Sequence, residues 1–304
     1  MFRFCARPAR QGIRSFVPAL VLAVASLFPA VRVPAQETPY IVTYSHHLEE
    51  PGNLEIESFS TTGIPRSGQR AYTAPYLEFE YGVTGWWTSE LYLEAQSTRG
   101  DSTIFTGWRL ETRIRPLKRE HRINPVLYFE YARTNEASRI QKEVAGHAEI
   151  TDELNGELRR EHEQELEAKL ILSSTVHDWN ISENFIVEKN LSEGEGFEFG
   201  YAVGISRPLS SMASGRECRL CRENFVAGLE MYGGLGSTES FGLRQTAHYL
   251  APVVAWKISD NSTLHFSPSF GLTDVTTPVL LRFGYSYEIR GFKNKVAPLF
   301  RGGR

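Results

Sequence analysis

The chain has 304 residues, with 33 basic and 36 acidic side chains and a formal net charge of −3. This balance argues against nucleic-acid binding, which requires a basic face. After residue 35 no stretch approaches ~18 uncharged apolar residues, which excludes a later transmembrane helix.

Residues 1–35 have the pattern of a secretory signal peptide. Arg3, Arg7, Arg10 and Arg14 give a basic start with no acidic residue before Glu37, an apolar run covers 16–31, and Val33 and Ala35 lie three and one residues before the expected cleavage site. The run is shorter than the ~20 residues of a spanning helix, so we expect cleavage rather than anchoring. The remaining 269 residues carry 28 basic and 36 acidic side chains, a net charge of −8.

The next segment, 36–51, is expected to be a periplasmic N-terminal segment. It contains His46 and His47, which shortly precede Glu49 and Glu50. Imidazole and carboxylate groups in one cluster could hold a metal ion. A solvated segment is the simpler interpretation, and we therefore predict no metal site and no cofactor.

Nearly everything after residue 50 alternates with period two, which is the pattern of β-strands. Each segment has one large apolar face and one small, polar or charged face. We predict an all-β fold, a closed antiparallel up-and-down transmembrane β-barrel of about twelve strands over 52–292 with a C-terminal tail at 293–304. The predicted strands are 52–61, 71–83, 86–97, 102–115, 123–134, 162–174, 179–190, 196–206, 224–234, 244–258, 262–273 and 278–291.

The connections between these strands also fit a membrane barrel. Short turns fall on the side expected to be periplasmic, and the charged stretch 135–161 and the Gly/Ser/Thr-rich loop 235–243 fall outside. The connection 207–223 disagrees, because it is long and falls on the periplasmic side. Tryptophans concentrate at the periplasmic strand ends, as expected for an interfacial aromatic girdle.

Cys5 would leave with the signal peptide, so Cys218 and Cys221 would remain in an oxidising compartment. We expect a local disulfide between them. A redox role would need a βαβ context, zinc would need two further ligands, and haem attachment would need His where Arg222 stands.

The polar strand faces are expected to line a charged lumen, the reverse of a soluble barrel with its apolar face inside. Two interpretations stay open: ion pairs that fill a narrow lumen, which we favour, or a path that concentrates cations. The predicted lumen-lining residues are Glu78, Glu80, Glu90, Glu94, Arg109, Glu111, Arg113, Glu130, Glu165, Glu167, Lys169, Glu198, Glu230, Arg282, Glu288 and Arg290.

One residue pair suggests an enzyme. His265 and Ser267 lie two apart on one predicted strand, so a base and a hydroxyl share a face. The spacing resembles the His and Ser of the outer-membrane phospholipase A family, a twelve-stranded barrel whose pair faces lipid. Here Phe266 and Phe270 turn the pair inward, so a lipid hydrolase is the weaker alternative.

The segments YLEFEYGVTGWWTSELYLEAQ at 76–96 and ENFIVEKNLSEGEGFEFGYAVGISRPL at 183–209, with the closing strand up to Phe292, resemble a family of bacterial outer-membrane barrels assigned as transporters. These are the MetA-like barrels of phenol-degradation pathways. The resemblance implies an outer-membrane barrel and uptake of small organic molecules, and it supplies no catalytic residues. The chain departs from the usual aromatic terminus, because 293–304 continue past Phe292.

We therefore predict a porin-like transport protein of the Gram-negative outer membrane, a passive channel or transporter for small polar or organic solutes. The alternatives are a lipid hydrolase and a plugged structural barrel without transport. The expected partners are outer-membrane lipid, the barrel assembly machinery and a solute, and no nucleic acid.

Overall fold

The strands close into a barrel in which every strand is hydrogen-bonded to two neighbours. The computed structural model describes residues 38–66, 68–140, 144–147, 153–192, 194, 196–210 and 218–301, so the expected signal peptide lies outside the described residues. The described residues form twelve antiparallel strands in sequence order, and β1 pairs with β12 to close the barrel. The strands are β1 Leu54–Ile64, β2 Tyr72–Thr84, β3 Trp87–Thr98, β4 Thr103–Ile114, β5 Asn124–Asn135, β6 His162–Val176, β7 Trp179–Asn190, β8 Glu198–Pro208, β9 Phe225–Ser237, β10 His248–Ser259, β11 Ser262–Gly271 and β12 Val279–Ile289.

Three connections at one end of the barrel are two-residue turns, and the backbone conformation explains one of them. His177 and Asp178 join β6 to β7, and both have positive φ, 49° and 66°. This is the backbone of a two-residue hairpin whose twist matches the flanking strands. Two-residue turns also join β2 to β3 and β10 to β11 at the same end. By the sidedness expected of such barrels, this is the periplasmic end.

Two short helices lie outside the strands. Helix α1, Asn155–Leu158, belongs to the long connection between β5 and β6, and helix α2, Phe292–Arg301, follows β12. Phe292 therefore begins a helix, and the last strand ends at Ile289. Among the described residues, no helix is long and apolar enough to cross a membrane.

The outer surface of the barrel is apolar and the interior is polar. On β12, Leu281 and Phe283 are 39% and 53% exposed, whereas Arg282 between them is 4% exposed. The same inversion runs around the barrel, with Phe129, Phe185 and Phe266 about half exposed on other strands. A soluble barrel would bury these side chains and expose the arginine. The exterior therefore matches hydrocarbon rather than water.

Candidate functional site

The inner wall carries paired charges on the sector formed by β2 to β6. Arg109 binds Glu94 at 2.6 Å and Glu130 at 2.8 Å, and the exposure of its side chain is 13%. A guanidinium that bridges two carboxylates in this way keeps all three buried charges hydrogen-bonded.

A second cluster lies nearer the periplasmic end. The Arg113 guanidinium contacts Glu80 at 2.6 Å, Glu111 at 3.3 Å, and the Glu90 carboxylate. Lys169 binds Glu167 at 2.8 Å on β6. Charge pairing thus fills part of the lumen, as the ion-pair interpretation expects.

One predicted lumen-lining residue lies elsewhere. Arg290 follows the end of β12, its side chain is 53% exposed, and it donates to Glu288 at 2.9 Å and to the Asp260 carbonyl at 2.6 Å. The period-two alternation does not predict the direction of the Arg290 side chain, because the strand has already ended at Ile289. The other predicted residues lie on the inner face, with Glu198 at the extracellular mouth, close enough to Gly146 that an added Cβ would contact its carboxylate.

The N-terminal segment was expected to be solvated, and this expectation was wrong. Residues 38–50, here called the luminal segment, enter the barrel from its periplasmic end, and Thr43 and His46 are 5% and 1% exposed. The Glu230 carboxylate on β9 accepts the backbone N–H groups of Ile41, Val42 and Thr43 at 2.7, 2.9 and 2.7 Å. These donors have no sheet partner, so a carboxylate satisfies them instead.

Further contacts with the barrel wall hold Tyr44 and Tyr40 of the luminal segment. Asn184 on β7 accepts the Tyr44 N–H at 2.7 Å and donates to its carbonyl at 2.9 Å, while the Tyr44 hydroxyl donates to Glu111 at 3.0 Å. The Tyr40 ring lies against Gly204, where an added Cβ would be 2.6 Å from a ring carbon. Gly204 thus leaves the space that this ring occupies.

The extracellular end is narrowed by the connection after β5. In residues 136–140 and 144–147, together called the mouth loop here, the Ser138 hydroxyl donates to Glu94 at 3.2 Å. Ile140 and Val144 pack with Val42 against a buried cluster that includes Tyr232 and Tyr249. The mouth loop and the luminal segment therefore border the same apolar cluster inside the barrel.

A cavity of about 300 Å³ remains between these elements and the wall. Among the described residues that line it, ten are glutamates, three are arginines and one is a lysine. Carboxylates therefore outnumber basic side chains among the described lining residues. The cavity is thus acidic despite the ion pairs.

The predicted His/Ser pair lies inside the barrel, and its two side chains are not hydrogen-bonded to each other. His265 and Ser267 point inward and are 8% and 0% exposed. The His265 ring approaches Glu57 at 3.8 Å, and among the described groups the Ser267 hydroxyl has no hydrogen-bond partner. A serine nucleophile needs its base within hydrogen-bond reach, and that bond is not formed in the conformation described.

The side chain of His46, from the His46/His47 cluster, contacts the wall of the barrel. His46 contacts the Ser173 hydroxyl through Nδ1 at 2.8 Å and Glu120 through Nε2 at 3.4 Å. Within the described part of the chain, the group of three acidic ligand atoms close enough for an ion is Glu78, Glu80 and Glu90. Arg113 already occupies two of these carboxylates.

Cys218 and Cys221 are joined by a disulfide in the long periplasmic connection between β8 and β9. The 3-10 turn Arg222–Asn224 follows directly. Asn224 donates to the Cys218 carbonyl at 2.7 Å, so the bridge closes a compact turn at the start of β9. Residues 211–217 of this connection lie outside the described part.

An apolar outer surface around an enclosed polar interior defines a transmembrane β-barrel of the bacterial outer-membrane type. No protein family and no curated protein matches the chain. Among solved structures, an outer-membrane channel from Pseudomonas putida F1 has a TM-score of 0.56 at 10% identity, covering 82% of this chain and 100% of the other.

Two further barrels are similar at lower scores. The NanC porin has a TM-score of 0.46 at 10% identity, covering 78% of this chain and 100% of its own. The KdgM porin in complex with disordered oligogalacturonate has a TM-score of 0.45 at 8% identity, covering 77% and 98%. At such identities the channel similarity establishes the fold and, with the apolar exterior, the outer membrane as the location. The narrower resemblance to the MetA-like barrels is not established by it.

Proposed function

We propose that this barrel is a passive channel for small polar solutes that favours cations, and that the conformation described is its closed state. The observation that carries the proposal is the acidic cavity inside the lumen, bounded by two elements that are not part of the wall. A purely structural barrel could fill its lumen with fixed ion pairs and would need no such cavity.

The preference for cations follows from the charges on the cavity wall. Ten carboxylates face four basic side chains among the described lining residues. Rings of carboxylates raise the local concentration of cations, and low-dielectric walls strengthen this effect. The resemblance to the MetA-like barrels adds small organic molecules as a candidate cargo, for which the aromatic walls at Tyr76 and Tyr92 provide contact area.

The luminal segment is suited to act as a gate. None of residues 38–50 belongs to a strand of the barrel. The segment is held by side chains of the wall, chiefly Glu230 and Asn184, and its withdrawal breaks no hydrogen bond between strands. Withdrawal would therefore leave the barrel intact and open the periplasmic half of the lumen.

Planar-bilayer recording of the refolded protein tests the proposal. We expect openings that are infrequent in the native chain and a reversal potential, in a KCl gradient, on the cation-selective side. Variants that weaken the hold on the luminal segment should open more often. A barrel that stays non-conducting in every such variant would instead support the plugged structural alternative.

A further inference from the structure

One sector of the periplasmic rim combines aromatic, basic and apolar groups on the outer surface. The ends of β7, β8, β9 and β10 are consecutive there, since Asn180 pairs with Ser206, Pro208 with Val226, and Phe225 with Trp256. The long disulfide-containing connection emerges from the middle of this sector. Turns at the periplasmic end of such barrels are usually short, so closing the barrel does not by itself require a long connection there.

The first element of the sector is an arginine on the outer wall. Arg207 is exposed between the buried Ser206 and Pro208, so it faces outward at the end of β8. Its guanidinium lies 5.1 Å from the centre of the Trp179 ring, and Trp179 is 40% exposed. An arginine at the membrane boundary lays its stem along the apolar wall and places its charge among the headgroups.

The second element is the turn closed by Cys218 and Cys221. Trp256 donates from its indole N–H to the Arg219 carbonyl at 2.9 Å, and its ring stacks on Phe225 with centroids 5.8 Å apart. The turn is thereby fixed against the aromatic pair on the outer wall. Leu220 at its tip is 72% exposed.

We propose that this sector binds an anionic phospholipid of the periplasmic leaflet. Leu220 enters the acyl boundary, where a leucine loses no free energy by exposure, and the guanidinium groups of Arg207, Arg219 and Arg222 bind the phosphate oxygens. Within the turn at 218–224, Arg219 and Arg222 outnumber the one acidic residue, Glu223, so the turn carries a net positive charge.

Two features favour lipid over a periplasmic protein as the occupant. The sector is continuous with the apolar outer wall, which contacts lipid in any membrane barrel. The disulfide and the Trp256 hydrogen bond fix the backbone that carries Leu220, as expected for a side chain that must insert at a constant depth.

Lipid retention by the purified barrel tests the three arginines. The triple variant R207Q/R219Q/R222Q is compared with R99Q/R159Q/R244Q, which removes three exposed arginines from the extracellular side. Native mass spectrometry with added phosphatidylglycerol should show about 10-fold weaker retention for the rim variant alone, since charge-assisted contacts are lost. Heat-dependent gel migration confirms that both variants form barrels. The proposal would be overturned if the two variants retained phosphatidylglycerol equally, or if the native protein retained phosphatidylcholine as well as phosphatidylglycerol. Displacement of the lipid by inorganic phosphate at millimolar concentration would overturn it too.

The depth to which Leu220 inserts into the membrane provides a second, independent test of the proposal. A Leu220→Trp variant in vesicles of phosphatidylglycerol and phosphatidylcholine should show added fluorescence that is quenched by brominated acyl chains. Added emission that is typical of water and insensitive to bromine would show that the tip faces the periplasm, where a soluble partner is the remaining occupant.

Discussion

Replacing Glu230 by glutamine should open the lumen, because this carboxylate holds three consecutive N–H groups of the luminal segment. One carboxylate oxygen accepts from Val42 and Thr43, and the other accepts from Ile41. Glutamine keeps a single acceptor oxygen, and its amide NH₂ faces the third donor.

The size of the effect follows from these contacts. A hydrogen bond to a charged group contributes ~1.5–3 kcal/mol and a neutral one ~0.5–1.5 kcal/mol. Losing one contact and weakening two should cost the closed state about 3 kcal/mol. Because ~1.4 kcal/mol is a factor of ten, the ratio of closed to open channels should fall about 100-fold.

Single-channel recording measures this ratio directly as the open fraction. The matched control is Glu188→Gln, which makes the same substitution at a glutamate that lines the cavity. We expect Glu188→Gln to change cation selectivity slightly and the open fraction little. If Glu230→Gln opened no more often than Glu188→Gln, the luminal segment would not be held as described, and the gate would have to lie elsewhere.

Other perturbations give separate checks. Gly204→Val should displace the Tyr40 ring and raise the open fraction, and unchanged currents would mean that this ring does not help close the lumen. Burial lowers the pKa of both His46 and His47 to about 4, with Arg115 adding to the effect and Glu120 opposing it at His47. In the withdrawn segment the pKa of both histidines would return to ~6.5, so acidification from neutral pH towards 5 should favour opening. The double variant His46→Gln/His47→Gln should remove that part of the pH response. Phe283→Arg should lower the folding free energy in bilayers by ~2–4 kcal/mol, measured by urea titration, whereas a soluble barrel would tolerate it.

The strands were predictable because a membrane wall imposes period-two alternation on each of them independently. The prediction for β7, 179–190, coincides with Trp179–Asn190. The start of β10 was placed at 244 but lies at His248, because residues 238–247 form a loop whose composition does not mark where pairing begins. The inward direction of Glu90, Glu94 and Glu111 followed from parity alone.

The occupied lumen was not predictable in the same way. The luminal segment is fixed by contacts with Glu230 and Asn184, which lie more than a hundred residues away in sequence. Local patterns do not encode such contacts, and a polar segment with two histidines also fits a solvated tail. The alternation of Tyr40, Val42 and Tyr44 was a signal that these residues meet an ordered surface, and an inward glycine at 204 was another.

The luminal segment is joined to β1 by only a few residues, and Gly52 is tied into the rim by its N–H bond to the Gly82 carbonyl at 2.7 Å. A short tether keeps a released group at an effective concentration in the millimolar range. Reclosure is therefore a first-order event whose rate does not depend on how many copies of the protein the membrane holds. Each barrel would be closed by its own luminal segment, and a cell could vary the number of barrels without altering the rate at which any one of them closes.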